Sequence, residues 1–266
     1  MAARSYLFVP GDRPERFDKA CAAGADVVIL DLEDAVSPER KNQAREAIRT
    51  WLEAGGKAWV RLNGSDTEWY ADDCSLLATP GLLGVSLPKA ETTAQISALA
   101  RRLAEPLRIL PIVETARGIS NAEEIAGAPK VQCLAFGSVD FQVDTGILGD
   151  GEELLFARSR LVLASALARI GAPVDGVTTN LDNLELLASD VRRARQQGFA
   201  GKLCVHPKQV APINDGFLPA EHEVQWAQAV IDIVAKHQGV GAISFNGKLI
   251  DLPVILRAQR ILENLT

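Results

Sequence analysis

Apolar residues along this chain gather into short runs, and almost every run is followed by a turn and then by a stretch with helical spacing. "SYLFVP" (5–10) precedes "RPERFDKACAAGA" (13–25), and "DVVILDLED" (26–34) precedes "PERKNQAREAIRTWLEAGG" (38–56). "KAWVRLN" (57–63) leads into "TEWYADDCSLLATPG" (67–81), and "LLGVSLPKA" (82–90) into "TTAQISALARRLAEP" (92–106). "LRILPIVET" (107–115) is followed by "NAEEIAGAP" (121–129), and "VQCLAFGSVDF" (131–141) by "LLFARSRLVLASALARIG" (154–171). "PVDGVTTN" (173–180) with "NLELLASDVRRARQQG" (183–198), and "GKLCVHP" (201–207) with "KQVAPINDG" (208–216), complete the series. Continuous apolar strands read as parallel strands covered on both faces. A strand–helix unit repeated this often predicts an α/β fold, a TIM (β/α)8 barrel over residues 1–218. A doubly wound open sheet competes, but no GxGxxG follows the first strand. Residues 219–266 remain as a C-terminal extension: a helix over 220–238, a hairpin turning at Asn246-Gly247, and a short helix.

Composition narrows the picture. The chain has 266 residues and a net charge of −6 at pH 7, which argues against a general nucleic-acid binder. No apolar run reaches the ~18 residues of a membrane span, and the N-terminal "MAARSYLFVPG" enters a strand directly. A cytoplasmic protein is expected. The four cysteines, Cys21, Cys74, Cys133 and Cys204, have no metal-site spacing and read as free buried thiols.

Polar residues at the ends of the predicted strands carry the chemistry, because barrel active sites lie at the strand C-termini. The second strand ends in Asp31, Glu33 and Asp34, the third in Arg61 and Asn63, the fourth in Lys89. The fifth, after an apolar run, ends in Glu114, the sixth in Asp140, and the eighth in His206. Carboxylates from two neighbouring strands, with room for water and substrate oxygens, suit Mg2+. No His or Cys near them in sequence points to zinc. The competing reading is a salt bridge from Glu114 to Arg61 or Lys89. Arg61 has the planar fork that grips a carboxylate, or else it pairs the "DLED" acids, and Lys89 has the same two options. His206 reads as an orienting hydrogen-bond group. His222 and His237 fall on the C-terminal helix and read as solvated. Arg13, Arg16 and Lys19 surround the start of the first helix, where phosphate contact competes with a solvated face.

With these residues in place the chain resembles the HpcH/HpaI aldolase and citrate lyase superfamily, in its citrate lyase β-subunit-like branch. The matching segments are "RSYLFVPG" (4–11), "DVVILDLEDAV" (26–36), "VRLN" (60–63), "LPKAE" (87–91), "PIVETARG" (111–118), "LAFGSVDF" (134–141), "GFAGKLCVHPKQV" (198–210) and "NGKLIDLPVILRAQRIL" (246–262). The resemblance implies Mg2+ and reversible carbon–carbon cleavage of a 3-hydroxyacyl-CoA thioester, of citramalyl, malyl, methylmalyl or citryl type. The products are an acyl-CoA such as acetyl-CoA and a 2-oxo acid. It makes Glu114 and Asp140 the Mg2+ ligands and Arg61 the enolate-stabilising residue, with Lys89 and Asn63 beside it as substrate contacts. Asp31, Glu33, Asp34 and His206 would stand behind them, and Arg13 and Arg16, on the helix-start reading above rather than on the resemblance, are the candidate cofactor contacts.

Asp251 matches an acid that the family's C-terminal segment delivers to a neighbouring subunit's site. The extension is then a lid packing on that neighbour, and the protein a homo-oligomer, a trimer or a multiple of one. Two other activities compete: a malyl-CoA-type thioesterase, and a β subunit of a citrate lyase complex acting on a carrier-bound thioester. The chain's length favours a standalone lyase. "DGVTTNLDN" (175–183) departs from the D-x-x-D-like pattern of many relatives, which bears on the substrate rather than on the metal chemistry.

Overall fold

The computed structural model describes residues 3–236, 243–245, 248–263 and 265. Eight parallel strands close into a barrel in chain order, β1 pairing both β2 and β8. They are β1 (Ser5–Pro10), β2 (Val27–Asp31), β3 (Ala58–Arg61), β4 (Leu82–Leu87), β5 (Arg108–Val113), β6 (Ala135–Phe136), β7 (Val174–Asp175) and β8 (Gly201–Cys204). Sequential right-handed strand–helix connections make this the economical closure for such a repeat.

The helices between them are α1 (Phe17–Cys21), α2 (Lys41–Glu53), α3 (Tyr70–Asp73), α4 (Thr93–Ala100), α5 (Ala116–Ser120), α6 (Ala122–Ala126), α7 (Ser138–Thr145), α8 (Leu155–Ala168) and α9 (Leu184–Gln197), with α10 (Val210–Phe217) after β8. Local signals set several ends. Thr92 and Gln95 form a capping box at α4, and the Asn183 side chain accepts from Leu186 N to start α9, which stops at Gly198 in the left-handed region.

Period-two alternation sorts the strands into an inner and an outer face. Tyr6, Ile29, Trp59, Leu110, Ile112, Ala135 and Leu203 pack inside, in one buried cluster. The outer face of the β7–β8 seam instead carries charge. Asp175 and Lys202 are fully buried there with Arg158 of α8, whose Nε lies 2.9 Å from Asp175 Oδ1. A charge set of this kind is tolerated only because each member has partners, and it ties α8 to the barrel.

The chain divides into two compact units, Ala3–Asn214 and Asp215–Thr266. The second contains α11 (Glu221–Lys236), the antiparallel pair β9 (Ile243–Phe245) and β10 (Lys248–Ile250), and α12 (Leu252–Glu263). Ala227, Val230, Ile250 and Ala258 form its own small core. The expected turn at Asn246-Gly247, and His237, lie outside the described residues, while His222 is exposed on α11. Cys74, Cys133 and Cys204 are buried free thiols, but Cys21 is exposed, contrary to the expectation that all four are buried.

Candidate active site

Strand parity aims three of the expected residues inward. Asp31 follows Val27 and Ile29 at intervals of two, Arg61 follows Trp59, and Glu114 follows Leu110 and Ile112. A residue that continues the inner face past the last apolar layer must emerge at the barrel mouth. All three line one cavity of about 410 Å³, together with Asp34 and Asp140.

Asp140 reaches that cavity by a different route from the one its sequence suggests. It is not the end of the sixth strand: β6 stops at Phe136, and Asp140 sits in the first turn of α7. A carboxylate there is favoured by the unpaired amides of the helix start. No side-chain ion pair to Asp140 forms among the described residues. Burial, then the charge of Asp34, raises its pKa.

Glu114 is buried (3% exposed), and neither Arg61 nor Lys89 forms a side-chain ion pair with it. Its Oε1 accepts the backbone N–H of Lys89 at 2.7 Å, while Oε2 accepts no hydrogen bond from the described residues. Burial, reinforced by the charges of Glu33 and Asp140, pushes its carboxyl up to about 8. Gly137 is the floor beneath it: a Cβ there would overlap Glu114 Oε2 and lie 2.5 Å from Glu114 Cβ.

Arg61 is held from behind by the "DLED" acids. Its Nε and Nη2 donate to the two oxygens of Asp31, each at 2.6 Å, and its ring-facing side covers Phe8 at 4.6 Å. Nη1 lies 2.8 Å from Glu33 Oε2, an ion pair without hydrogen-bond geometry that leaves that buried oxygen unsatisfied. Burial works against the charge of both partners, yet Arg61 holds Asp31 below the ordinary carboxylate range, and Asp31 keeps Arg61 firmly protonated. Glu33 goes the other way: burial wins, and its pKa is raised. Lys89 Nζ meets the other Glu33 oxygen at 3.0 Å and is half-exposed. Its backbone has φ 48°, which turns its amide to Glu114.

Asn63 and His206 are engaged away from the cavity. Asn63 is buried (1% exposed) and does not line the cavity. Its amide donates to Asp73 Oδ2 at 2.7 Å and accepts from Lys41 Nζ at 2.7 Å, so both ends of the side chain are taken by structure rather than substrate. His206 stands behind none of the acids. Its Nδ1 accepts from Lys208 N at 3.1 Å, capping the turn that starts α10's approach. Arg13 and Arg16 are exposed on a single 3-10 turn, each 3.9 Å from a neighbouring acid. Asp251, in the Asp215–Thr266 unit, accepts from Val254 N at 3.3 Å at the start of α12.

Two supports went unread in the sequence. Lys41 Nζ donates to the carbonyls of Leu32 (2.7 Å) and Glu33 (2.8 Å) as well as to Asn63, fixing the loop that carries Glu33. Its signal was available, since Lys41, Ala44, Arg45, Ile48 and Leu52 share the buried stripe of α2. Gln209 joins the ends of β7 and β8: Oε1 accepts from Val205 N (3.0 Å), and Nε2 donates to Thr178 O (2.7 Å).

The charge balance tests whether a cation belongs here. Asp31, Glu33, Asp34, Glu114 and Asp140 meet Arg61 and Lys89 at the mouth, with the buried Lys41 behind them, so among the described residues five carboxylates meet three cations. Glu33 Oε2, buried and without a hydrogen-bond donor, reflects that shortage. Among the described residues no three His, Cys, Asp or Glu side chains form a metal cage. A hard divalent ion that takes one or two carboxylates and leaves its other positions to water and ligand fits this donor set.

A family model described as HpcH/HpaI aldolase/citrate lyase matches residues 4–207. The chain is 38% identical to a citrate lyase subunit beta-like protein of Deinococcus radiodurans, over 98% of this chain and 96% of that one. It is 36% identical to an L-malyl-CoA/beta-methylmalyl-CoA lyase of Cereibacter sphaeroides, over 98% and 93%. The crystal structure of the protein CitE from Mycobacterium tuberculosis in complex with magnesium, acetoacetate and coenzyme A superposes with a TM-score of 0.87 at 34% identity, covering 99% of this chain and 98% of that one. Fold, strand-end residues and these likenesses agree, and the chain belongs to the HpcH/HpaI aldolase/citrate lyase family.

Proposed function

We propose that this protein is a Mg2+-dependent carbon–carbon lyase that cleaves a 3-hydroxyacyl-CoA thioester to an acyl-CoA and a 2-oxo acid. The observation that carries the reading is the meeting of Glu114, Asp140 and Arg61 in one negatively overcharged cavity. Glu114 and Asp140 would hold the ion, which when bound supplies Lewis-acid polarisation of the bond to be broken.

Arg61 has five N–H bonds and commits two of them to hydrogen bonds with Asp31. Nη1 pairs Glu33 without hydrogen-bond geometry, so N–H bonds on the terminal nitrogens remain for the thioester enolate oxygen, and the Asp31 and Glu33 clamp means that they need not reorganise as charge develops. Asp251 is the candidate acid that protonates the enolate carbon, supplied by the C-terminal unit of a neighbouring copy in a homotrimer or a multiple of one. Arg13 and Arg16, exposed at the first turn, are the candidate contacts for the coenzyme A phosphates. Among the described residues no helix is long and apolar enough to cross a membrane; we place the enzyme in the cytoplasm.

Product analysis tests the reading. The purified protein is incubated with hydroxyacyl-CoA thioesters, with Mg2+ or with chelator, and acyl-CoA, free CoA and 2-oxo acid are quantified. A 2-oxo acid formed in step with acyl-CoA, and lost on chelation, is the expected result. Free CoA without 2-oxo acid would replace the lyase by a thioesterase. Turnover confined to a carrier-bound thioester would make the chain a complex subunit. Mixing inactive Glu114→Gln and Asp251→Asn proteins should restore activity if Asp251 serves a neighbour's site, and should not if it serves its own.

A further inference from the structure

The charged residues of the cavity are distributed unevenly around the barrel. Asp31 and Asp34 follow β2, Arg61 ends β3, and Glu114 and Asp140 follow β5 and β6. The next three strands of the closed order, β7, β8 and β1, contribute Val177, Thr179, Leu203, Val205, Phe8 and Pro10. That arc presents one hydroxyl and no charge. Arg61 is the only Lys or Arg lining the cavity among the described residues, and Asp31 and Glu33 already share it.

The arc is also braced. Gln209, 1% exposed, ties Val205 and His206 of the β8 end to Thr178 of the β7 end. The Thr178 hydroxyl is in turn anchored on Asp190 Oδ2 at 2.6 Å. A wall held in this way cannot be traded for a polar one by a small backbone shift.

We infer that the β7–β8–β1 wall selects the substrate by the side chain of its 2-oxo acid half, accepting an alkyl group and refusing a second carboxylate. The inference rests on the lyase reading and narrows it to thioesters whose hydroxyl-bearing carbon carries one carboxylate and an alkyl substituent. In cleavage, the bond between that carbon and the carbon α to the thioester breaks. Its electron pair passes to the thioester enolate, which takes up a proton, while the hydroxyl loses one and becomes the ketone. A second carboxylate on the ketone product would be buried beside four carboxylates with no uncommitted cation, and burying a charge unpaired is costly. An alkyl group in the same place gains apolar contact with Val177, Leu203 and Val205.

The test compares pyruvate, 2-oxobutyrate and oxaloacetate on the full chain in saturating Mg2+, reading direct binding by calorimetry and, separately, condensation with acetyl-CoA. Pyruvate and 2-oxobutyrate should bind about tenfold or more tighter than oxaloacetate, the scale on which a pocket mismatch is felt. Val205→Arg, at a position that is 46% exposed and tolerant of a long side chain, should move the ratio about tenfold toward oxaloacetate. Thr179→Lys should act in the same direction, and Val205→Met should leave the ratio unchanged. Oxaloacetate binding as tightly as pyruvate to the unmodified chain, or a ratio unmoved by both cationic variants, would overturn the inference. The binding order holding with no carbon–carbon product from any acid would sustain the wall's selectivity and sink the lyase reading instead.

Discussion

The backbone N–H of Lys89 donates to Glu114 Oε1 at 2.7 Å from a left-handed conformation, φ 48°. A non-glycine residue pays for that conformation, and here the cost aims a donor at the buried carboxylate on the adjacent strand. The side chain is a separate matter, since its pair with Glu33 is half-exposed and worth little on its own.

Backbone and side chain can therefore be separated by mutation. Lys89→Gly keeps the amide and relaxes the strain, so stability should change by no more than about 1 kcal/mol and Mg2+ affinity should hold. Lys89→Val, disfavoured at positive φ, should cost about 1–2 kcal/mol and weaken Mg2+ binding. Thermal denaturation and Mg2+ calorimetry on both variants decide it; identical behaviour of Gly and Val would sink the argument.

Glu114 sets a pH dependence. Its folded pKa, pushed up to about 8, lies above the ordinary 4.5. A raised folded pKa contributes stability that is fully present below the unfolded value and is lost as pH rises through the folded one. In chelator, the protein should therefore lose stability between about pH 5 and 8, and Glu114→Gln should flatten that slope. Saturating Mg2+ should oppose the loss, because the ion needs the ionised carboxylate. Urea midpoints across pH, with and without Mg2+, measure all three.

Gly137→Ala should displace Glu114, since the new methyl group overlaps its carboxylate and the neighbour is a buried side chain with little room to give. The expected cost is about 1–3 kcal/mol of stability, with a larger loss in Mg2+ affinity than in the midpoint. A variant that binds Mg2+ like the parent would show that Glu114 does not need this floor.

Lys41→Met removes a buried ammonium from three oxygens, Leu32 O, Glu33 O and Asn63 Oδ1. Stability should fall by about 2–5 kcal/mol. Because Lys41 supports Glu33 and not Glu114, turnover should drop while Mg2+ affinity holds; an equal loss in both would mean that the damage is general. Arg61→Lys should lower kcat about 100-fold or more, since one ammonium cannot reproduce the fork that Asp31 and Glu33 clamp.

Much of the site could be read from alternation alone. Glu114 interrupts an apolar run at the position where the inner face leaves the core, and Arg61 does the same after Trp59. Parity stops counting where a strand stops. Asn63 lies two residues past Arg61, but the strand has ended, and Asp73 draws it into the structure behind the mouth. Asp140 follows an apolar run just as Glu114 does, yet Gly137 breaks the strand and a helix begins at Ser138. Carboxylates from a strand end and from a helix start look alike in one dimension.

What the sequence alone determined, then, was the repeat, the barrel and the strand-end acids, because period-two and helical spacing are local consequences of backbone geometry. Only the tertiary structure decided which charges are partners. It gave Arg61 to Asp31 and Glu33, left Glu114 and Asp140 without a side-chain ion pair among the described residues, turned the Lys89 amide toward Glu114, and put Lys41 and Gln209 to work as braces. Those choices depend on distance and burial across the barrel mouth, where electrostatic energies vary steeply with position, and no spacing along the chain encodes them.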